Sequence, residues 1–149
     1  MEMRGTDDAT AAIVGSVRSE HDKFSVLLVE DQDCEAELIA LAYRTGGYDV
    51  DLRHFSMGRD CIEHLRTTES LPALILVDLN LPDISGIDIV RFIRAEPRLR
   101  GIPIAMLTGS EADRDLHDAF AAGVNSYIVK SPDIDELFAQ VHVLTDRFI

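Results

Sequence analysis

Side chains able to do chemistry stand at the ends of four short apolar runs in the sequence. Carboxylates follow the first and third of five such runs, a hydroxyl follows the fourth and an ammonium group follows the fifth: Glu30, Asp31, Asp78, Thr108 and Lys130. If the runs are parallel strands, their carboxyl ends meet at one edge of a sheet, and these side chains converge. Three carboxylates held together repel one another, so the set favours a bound divalent cation.

The cation that fits this set best is Mg²⁺, a hard ion that prefers oxygen ligands. It takes few protein ligands, keeps several waters and leaves positions for a phosphate group. A carboxylate beside it, such as Asp78, can act as a nucleophile and form an aspartyl phosphate. Lys130 would bring a positive charge, and Thr108 a hydrogen bond, to the phosphoryl oxygens. Each residue alone would be an ordinary cap, turn or surface residue, so the prediction depends on the set.

The elements that must position these residues alternate along the chain. Five apolar runs predict strands at 26–29, 50–55, 73–77, 102–107 and 126–129. Segments of helical period predict helices at 33–44, 58–66, 86–95, 112–122 and 134–148. This alternation predicts an α/β fold, a doubly wound parallel sheet with helices on both faces. Three runs are almost continuously apolar, as central strands are, whereas the second alternates with polar residues and is expected at an edge.

Two helices carry details that a structure can test. In the first, Leu38, Leu41 and Ala42 are expected on one side, and Gly46 and Gly47 end the helix. The last should bury one face at i, i+3, i+4, i+7 spacing, formed by Ile134, Leu137, Phe138, Val141 and Phe148. Ser131 is predicted as its N-cap, with Pro132 at the first helical position. The residues after Lys130 suffice for this helix alone, so no output domain is expected behind it.

Composition narrows the class of protein. The 149 residues carry a formal charge of −13, which disfavours binding to nucleic acid. No apolar run approaches the roughly 20 residues that span a bilayer, and the N-terminus lacks a signal pattern, so a cytoplasmic location is expected without membrane binding. Cys34 and Cys61 stand far apart and are expected as buried free thiols. Residues 1–23 predict a flexible tail, and residues 24–149 one compact domain.

The motifs around these residues resemble a known family, the receiver domains of bacterial two-component response regulators. The resemblance covers residues 24–149 and rests on four segments: LLVED at 27–31, LVDLNLPDISG at 76–86, MLTG at 106–109 and AGVNSYIVK at 122–130. It implies a CheY-like, flavodoxin-like sheet of order 2-1-3-4-5 with five helices. By position, it implies Asp78 as the phosphoacceptor, Glu30 and Asp31 as the acidic pair that binds Mg²⁺, and Asn80 as a backbone-carbonyl ligand of the metal.

The same resemblance implies a signalling role. The phosphoryl group comes from a sensor histidine kinase, and Lys130 is the lysine that binds it. Thr108 is the switch hydroxyl and Tyr127 the switch aromatic, which together alter the face made by helix 4, strand 5 and helix 5. That face then controls protein partners, or the chain passes the phosphoryl group along a phosphorelay. One departure concerns Ser131, which stands where the family usually has proline, and it leaves the shape of this loop open.

Two short segments sharpen the resemblance. NSY at 125–127 and DRF at 146–148 are similar to single-domain regulators that partner bacteriophytochrome kinases. A bacteriophytochrome is therefore the kinase that the resemblance implies, and a homodimer through helix 4, strand 5 and helix 5 is a hypothesis. Beyond self-phosphorylation and self-dephosphorylation, the domain is not expected to be an enzyme.

Two alternatives remain open. A pseudo-receiver would use the fold as a phosphorylation-independent interaction module, although the intact site residues argue against it. A Mg²⁺-dependent phosphohydrolase of the haloacid dehalogenase type needs a second acid two residues after its nucleophile, where this chain has Asn80. Four arginines on and just after the third predicted helix are expected to be solvated: Arg91, Arg94, Arg98 and Arg100.

Overall fold

A computed structural model describes residues 23–149 and contains one parallel sheet of order β2-β1-β3-β4-β5. Its strands are β1 Phe24–Val29, β2 Val50–Phe55, β3 Leu74–Val77, β4 Ile104–Thr108 and β5 Ser126–Val129. Its helices are α1 Asp33–Thr45, α2 Gly58–Thr67, α3 Gly86–Ala95, α4 Asp113–Ala122 and α5 Ile134–Phe148. The predicted fold and strand order are confirmed. The predicted tail lies, apart from Lys23, outside the described residues.

The burial of each strand follows its place in the sheet. All four residues of β3 and all five of β4 are buried, because these strands have a neighbour on each side and a helix layer on each face. In contrast, β2 has no fully buried residue and pairs with β1 alone, from Phe24 beside Val50 to Val29 beside Phe55. The prediction that the second run is an edge strand is therefore confirmed.

Two hydrophobic layers lie on opposite faces of the sheet. Along β3, Ile75 and Val77 face the layer covered by α2, α3 and α4, while Leu74 and Leu76 face the layer covered by α1 and α5. This division follows from the alternation of side chains along a strand. Each buried aliphatic side chain contributes about 2 kcal/mol, so the two layers together fix the sheet in place. No helix within residues 23–149 has the length and apolar character needed to cross a membrane.

The buried side of α1 differs from the prediction. Ala36, Ile39, Ala42 and Tyr43 are its buried residues, whereas Leu41 is 37% exposed. Tyr43 can be buried because its hydroxyl shares a hydrogen bond of 2.8 Å with Thr145 Oγ1 of α5. The prediction was wrong about Leu41 because it counted aliphatic residues and gave no weight to an aromatic residue with a buried hydroxyl.

The start of α5 also differs from the prediction. Asp133 is the N-cap, since its carboxylate accepts a hydrogen bond of 3.0 Å from the Glu136 amide, so the prediction of Ser131 as N-cap was wrong. Ser131 Oγ instead accepts from the Asp133 amide at 3.1 Å and donates to Glu136 Oε1 at 2.6 Å. The predicted face is confirmed at Leu137 and Val141, but the first residue of the helix, Ile134, is 53% exposed.

The two cysteines lie in different environments. Cys61 is buried in the layer under α2, and burial raises the pKa of its thiol to about 12. Cys34 is exposed in the first turn of α1, so the prediction that it is buried was wrong. Both thiols are free.

The sequence predicted a solvated face for the arginines of α3 and the loop after it, and this prediction was wrong for Arg94 and Arg98. Arg94, near the end of α3, donates to the carbonyl groups of Gly123, Arg100 and Ile102 and to Asn125 Oδ1, at 2.7 to 2.9 Å. Gly123 ends α4 with a φ of 119°, and a Cβ there would lie 2.9 Å from Arg94 Cγ. Arg98 donates to the Leu65 carbonyl in the last turn of α2 and to the carbonyl of Thr68, which directly follows that helix. These guanidinium groups join loops at the end of the sheet opposite the carboxyl edge.

We expect Arg94→Ala to lower the free energy of unfolding by about 2 kcal/mol, because several loop carbonyls lose a charged donor. Arg91→Ala is the matched control on the same helix. Arg91 is exposed and pairs with Asp88 at 3.6 Å, so its loss should cost no more than about 0.5 kcal/mol. Urea unfolding of both variants measures the difference, and equal losses would contradict the role given to Arg94.

Candidate functional site

Three carboxylates converge at the carboxyl edge of the sheet. Glu30 and Asp31 follow β1 and Asp78 follows β3, and one carboxylate oxygen from each lies within 4.8 Å of the others. Glu30 is 1% exposed and Asp78 is 8% exposed, whereas Asp31 is exposed to solvent. The structure thus brings together the acidic residues that the sequence placed in one site.

The position of Asp78 is set by the backbone on both sides of it. Its amide donates to the Val29 carbonyl at 3.0 Å, which extends the pairing of β1 with β3 by one residue. The following loop turns back, and the Gly86 amide donates to the Leu79 carbonyl at 2.8 Å. A Cβ on Gly86 would lie 2.1 Å from the Asp78 carbonyl oxygen, so only glycine permits this approach. The loop therefore holds Asp78 tightly against the end of the sheet.

Lys130 enters the site from the end of β5. Its Nζ lies 2.9 Å from Glu30 Oε1 and 3.4 Å from Asp78 Oδ2, and it also contacts Glu35 Oε1. The Lys130 side chain is 10% exposed. Its backbone amide donates to the Thr108 carbonyl at 2.8 Å, which places the residue beside the end of β4. The Ser131 departure has not moved Lys130 away from Asp78.

The charges at the site are unequal, since one ammonium group contacts three carboxylates and a fourth, that of Asp31, lies close to two of them. Burial raises the pKa of Glu30 to about 7, and the hydrogen bond and charge of Lys130 offset this only in part. Burial alone would lower the pKa of Lys130, but Glu35, Glu30 and Asp78 outweigh it and raise that pKa above its ordinary value. Lys130 therefore stays charged and is shared among acids that it cannot neutralise alone.

The hydroxyl residues lie on the β4 and β5 side of the site. Thr108 is fully buried, and its Oγ1 accepts a hydrogen bond of 3.4 Å from the Ser110 amide. Tyr127 is half-buried, and its hydroxyl donates to the Ser110 carbonyl at 3.1 Å. Thr108 and Tyr127 are thus connected through one loop residue, Ser110. A movement of this loop would affect both side chains.

A cleft of about 480 Å³ opens above the carboxylates. Its polar lining includes Asp31, Asp78, Thr108 and Lys130, and Asn80 stands exposed at its edge. The close carboxylate oxygens suit a hard cation such as Mg²⁺, because oxygen is the ligand that such ions prefer. The space above them can admit a phosphate-sized group beside Lys130. The arrangement can therefore bind a divalent cation together with a phosphoryl group.

Two acids at or near this site were missed from the sequence. Glu35 lies in the first turn of α1, a few residues after Glu30 and Asp31, and this closeness along the chain could have indicated a further acid at the same edge of the sheet. Asp83 lies in the loop after β3, and its two carboxylate oxygens accept from the Gly58 and Arg59 amides at 2.9 and 2.8 Å. Met57, the N-cap residue of α2, has no side-chain oxygen, so Asp83 caps this helix from another loop.

The chain belongs to the response regulator receiver domain family, whose model matches residues 26–142. Over 139 residues it is 34% identical to the probable methanogenesis regulatory protein FilR2 of Methanothrix harundinacea. That alignment covers 91% of this chain and 90% of that protein. The CheY-like resemblance stated from the sequence motifs is confirmed.

Two solved structures of response regulators are similar to this chain. The phosphorylated cyanobacterial phytochrome response regulator RcpA superposes with a TM-score of 0.80 at 29% identity, covering 85% of this chain and 94% of that one. The Mn²⁺-bound form of response regulator Rcp1, a protein of Synechocystis, superposes with a TM-score of 0.76 at 30% identity, covering 83% and 92%. The resemblance to phytochrome-associated regulators is therefore also confirmed.

We expect Asp83→Ala to lower the free energy of unfolding by about 1 kcal/mol at pH 7, because α2 loses its cap. Burial alone would raise the pKa of Asp83, but amide donors from Arg59, Gly58 and Ile84 outweigh it and lower that pKa below 3.8. A carboxylate with a lowered pKa stabilises the fold above its unfolded pKa and loses this effect as the pH falls through its folded pKa.

The difference between wild type and Asp83→Ala should therefore shrink as the pH falls below 3.8. Asp83→Asn keeps one oxygen acceptor and is the conservative control, with an intermediate loss at pH 7. Urea titrations at several pH values measure these differences. If Asp83→Ala is as stable as wild type at pH 7, the assignment of Asp83 as the cap is wrong.

Proposed function

We propose that this chain is a phosphorylation-controlled switch that accepts a phosphoryl group on Asp78 from the phosphohistidine of a sensor histidine kinase. The observation that carries the proposal is the position of Lys130 Nζ, 3.4 Å from Asp78 Oδ2 inside a cluster of carboxylates. An Asp78 oxygen attacks phosphorus, the phosphorus–nitrogen bond of the donor breaks, and its electron pair returns to the imidazole. The product is an aspartyl phosphate.

The cation that the carboxylates would hold in this proposal is Mg²⁺. The carboxylates of Glu30, Asp31 and Asp78 and the backbone carbonyl of Asn80 are its proposed ligands, and the oxygen atoms of the cluster suit a hard ion. When bound, Mg²⁺ neutralises carboxylate charge and orients the phosphoryl oxygens. The Mn²⁺-bound form of the similar protein Rcp1 supports a divalent cation at this kind of site.

Lys130 and Thr108 would receive the new phosphoryl group. Lys130 already lies between Glu30 and Asp78, so a small shift of its ammonium group brings it to a phosphoryl oxygen. Thr108 Oγ1 accepts from the Ser110 amide, and its hydroxyl proton can be donated to another phosphoryl oxygen. Both residues then stabilise the charge that develops during transfer and that the product retains.

The output of the switch would pass through Ser110 and Tyr127. Because Ser110 contacts both Thr108 and Tyr127, a shift of Thr108 toward the phosphoryl group changes the setting of Tyr127. Beyond Tyr127 lies the face made by α4, β5 and α5, where Leu116 is 37% and Phe120 is 50% exposed. In this proposal the face controls protein partners and is the surface through which a homodimer would form, or the chain instead passes the phosphoryl group of Asp78 along a phosphorelay.

A bacteriophytochrome is the proposed sensor kinase, supported by the similarity to RcpA, a cyanobacterial phytochrome response regulator. A solved structure described as a response regulator in red light signaling of R. palustris is also similar, with a TM-score of 0.75 at 26% identity. The chain would act in the cytoplasm beside such a kinase. Apart from forming and hydrolysing its own aspartyl phosphate, it would not act as an enzyme.

The rival hydrolase function is disfavoured by the residue at position 80. A phosphohydrolase of the haloacid dehalogenase type uses an acid two residues after its nucleophile to exchange protons with the leaving group. Asn80 stands there at the edge of the cleft, and an amide cannot exchange a proton in this way. The pseudo-receiver remains the alternative that the following experiment decides.

We expect wild type to gain the mass of one phosphoryl group when it is incubated with acetyl phosphate and Mg²⁺. Asp78→Asn should gain none, because its amide is not a nucleophile, and a chelator should abolish the gain in wild type. Intact-mass spectrometry measures all three samples. Wild type that stays unmodified under every condition would favour the pseudo-receiver. With a phosphorylated bacteriophytochrome kinase as donor, the same assay tests the proposed partner.

A further inference from the structure

We propose that Gln140 of α5 is a positioning residue for Lys130, acting through the backbone on both sides of the lysine. This inference deepens the proposed function, since it concerns the lysine that would bind the phosphoryl group. Gln140 does not touch the carboxylates of the site. Its side chain instead contacts the two peptide groups that flank Lys130, and we refer to this pair of contacts as the Gln140 bridge.

The Gln140 bridge consists of two hydrogen bonds. Gln140 Nε2 donates to the Val129 carbonyl at 2.8 Å, and Gln140 Oε1 accepts from the Ser131 amide at 3.1 Å. A separate hydrogen bond, in which Gln140 takes no part, runs from the Lys130 amide to the Thr108 carbonyl at 2.8 Å. The backbone just before, at and just after Lys130 is thus held to α5 and β4. A glutamine suits this place because its amide offers a donor and an acceptor side by side.

The bridge gives Ser131 a physical role. Proline, which receiver sequences usually have after this lysine, lacks a backbone N–H and could not donate to Gln140 Oε1. Serine has that N–H, and its hydroxyl also donates to Glu136 Oε1 at 2.6 Å and accepts from the Asp133 amide at 3.1 Å. The loop that would otherwise be shaped by proline is therefore fixed here by side chains of α5.

The consequence for the site is the placement of one ammonium group. Lys130 has a long, flexible side chain, and its Nζ must lie near Asp78 and Glu30 at the same time. A small rotation of the peptide groups at its Cα moves the far end of that chain by a larger distance. Because a misplacement of about 1 Å can cost a large factor in rate, the bridge should matter for phosphoryl transfer.

The chain offers a direct measure of this placement, because Lys23 and Lys130 are its two lysines. The side chain of Lys130 is 10% exposed and that of Lys23 is 50% exposed. Reductive methylation followed by peptide mass spectrometry reports on each lysine separately, and it needs neither Mg²⁺ nor a phosphoryl donor. Lys23 serves as the internal standard in every sample.

In Gln140→Ala and Gln140→Glu we expect Lys130 to react several-fold faster than in wild type, with Lys23 unchanged. Glutamate keeps the acceptor but cannot donate to the Val129 carbonyl, so it separates the bridge from simple packing. Val143→Ala, on an α5 residue that is 68% exposed, is the control and should leave both rates unchanged. If Lys130 keeps its wild-type rate in both Gln140 variants, well below their unfolding temperatures, the inference is wrong.

A double-mutant cycle tests the link to transfer. Gln140→Ala should slow phosphorylation by acetyl phosphate about tenfold, but it should have no further effect in a Lys130→Ala background. Equal slowing by Gln140→Ala in both backgrounds would overturn the positioning role, since a purely structural loss acts whether or not Lys130 is present. A Gln140→Ala variant that is phosphorylated as fast as wild type would overturn it as well. If wild type itself gains no phosphoryl group, the proposed function fails, and the methylation rates still decide whether the bridge positions Lys130.

Discussion

The arrangement depends on an imbalance of charge at the carboxyl edge of the sheet. One ammonium group, from Lys130, is shared by Glu30, Glu35 and Asp78, while Asp31 adds a further carboxylate nearby. Burial of such a cluster is costly, as the raised pKa of Glu30 indicates. Two hydrophobic layers keep the strands that carry these residues in register. Their packing offsets the repulsion, and a bound cation with a phosphoryl group would relieve it.

The loops of the fold are held by polar side chains that come from other elements. Asp83 caps α2 from the loop after β3, Gln140 of α5 bridges the loop at Lys130, and Arg94 of α3 joins loops at the opposite edge. In each case one side chain bonds backbone groups of a loop or helix end to which it does not itself belong. The loop at Lys130 is thus bonded to α5. Because of these bonds, a new charge at the site would move the loop and the helix together.

Much of this could be predicted from the sequence, because burial constrains strands strongly. The continuous apolar run of β3 predicted a central strand, and the alternation in β2 predicted an edge strand. The parallel topology then placed Asp78 and Lys130 at one edge of the sheet. The residues that were missed act through contacts between distant parts of the chain. Gln140 lies 11 residues from Val129 and Arg94 lies 29 from Gly123, and neither contact leaves a periodic signal. The error at Leu41 has the same origin, since Tyr43 is buried through its hydrogen bond to Thr145 of α5. The error at Ser131 is local, because Asp133, two residues further on, caps the helix instead.

The central claim is that the carboxylate cluster is completed by a divalent cation. Its most direct test is urea unfolding across a range of Mg²⁺ concentrations, at constant ionic strength, for wild type and Asp31→Asn. A ligand at a hundred times its dissociation constant adds about 2.7 kcal/mol to the free energy of unfolding. We expect that free energy to rise with Mg²⁺ in wild type and to stay nearly constant in Asp31→Asn. A wild-type unfolding free energy that does not depend on Mg²⁺ would contradict the account.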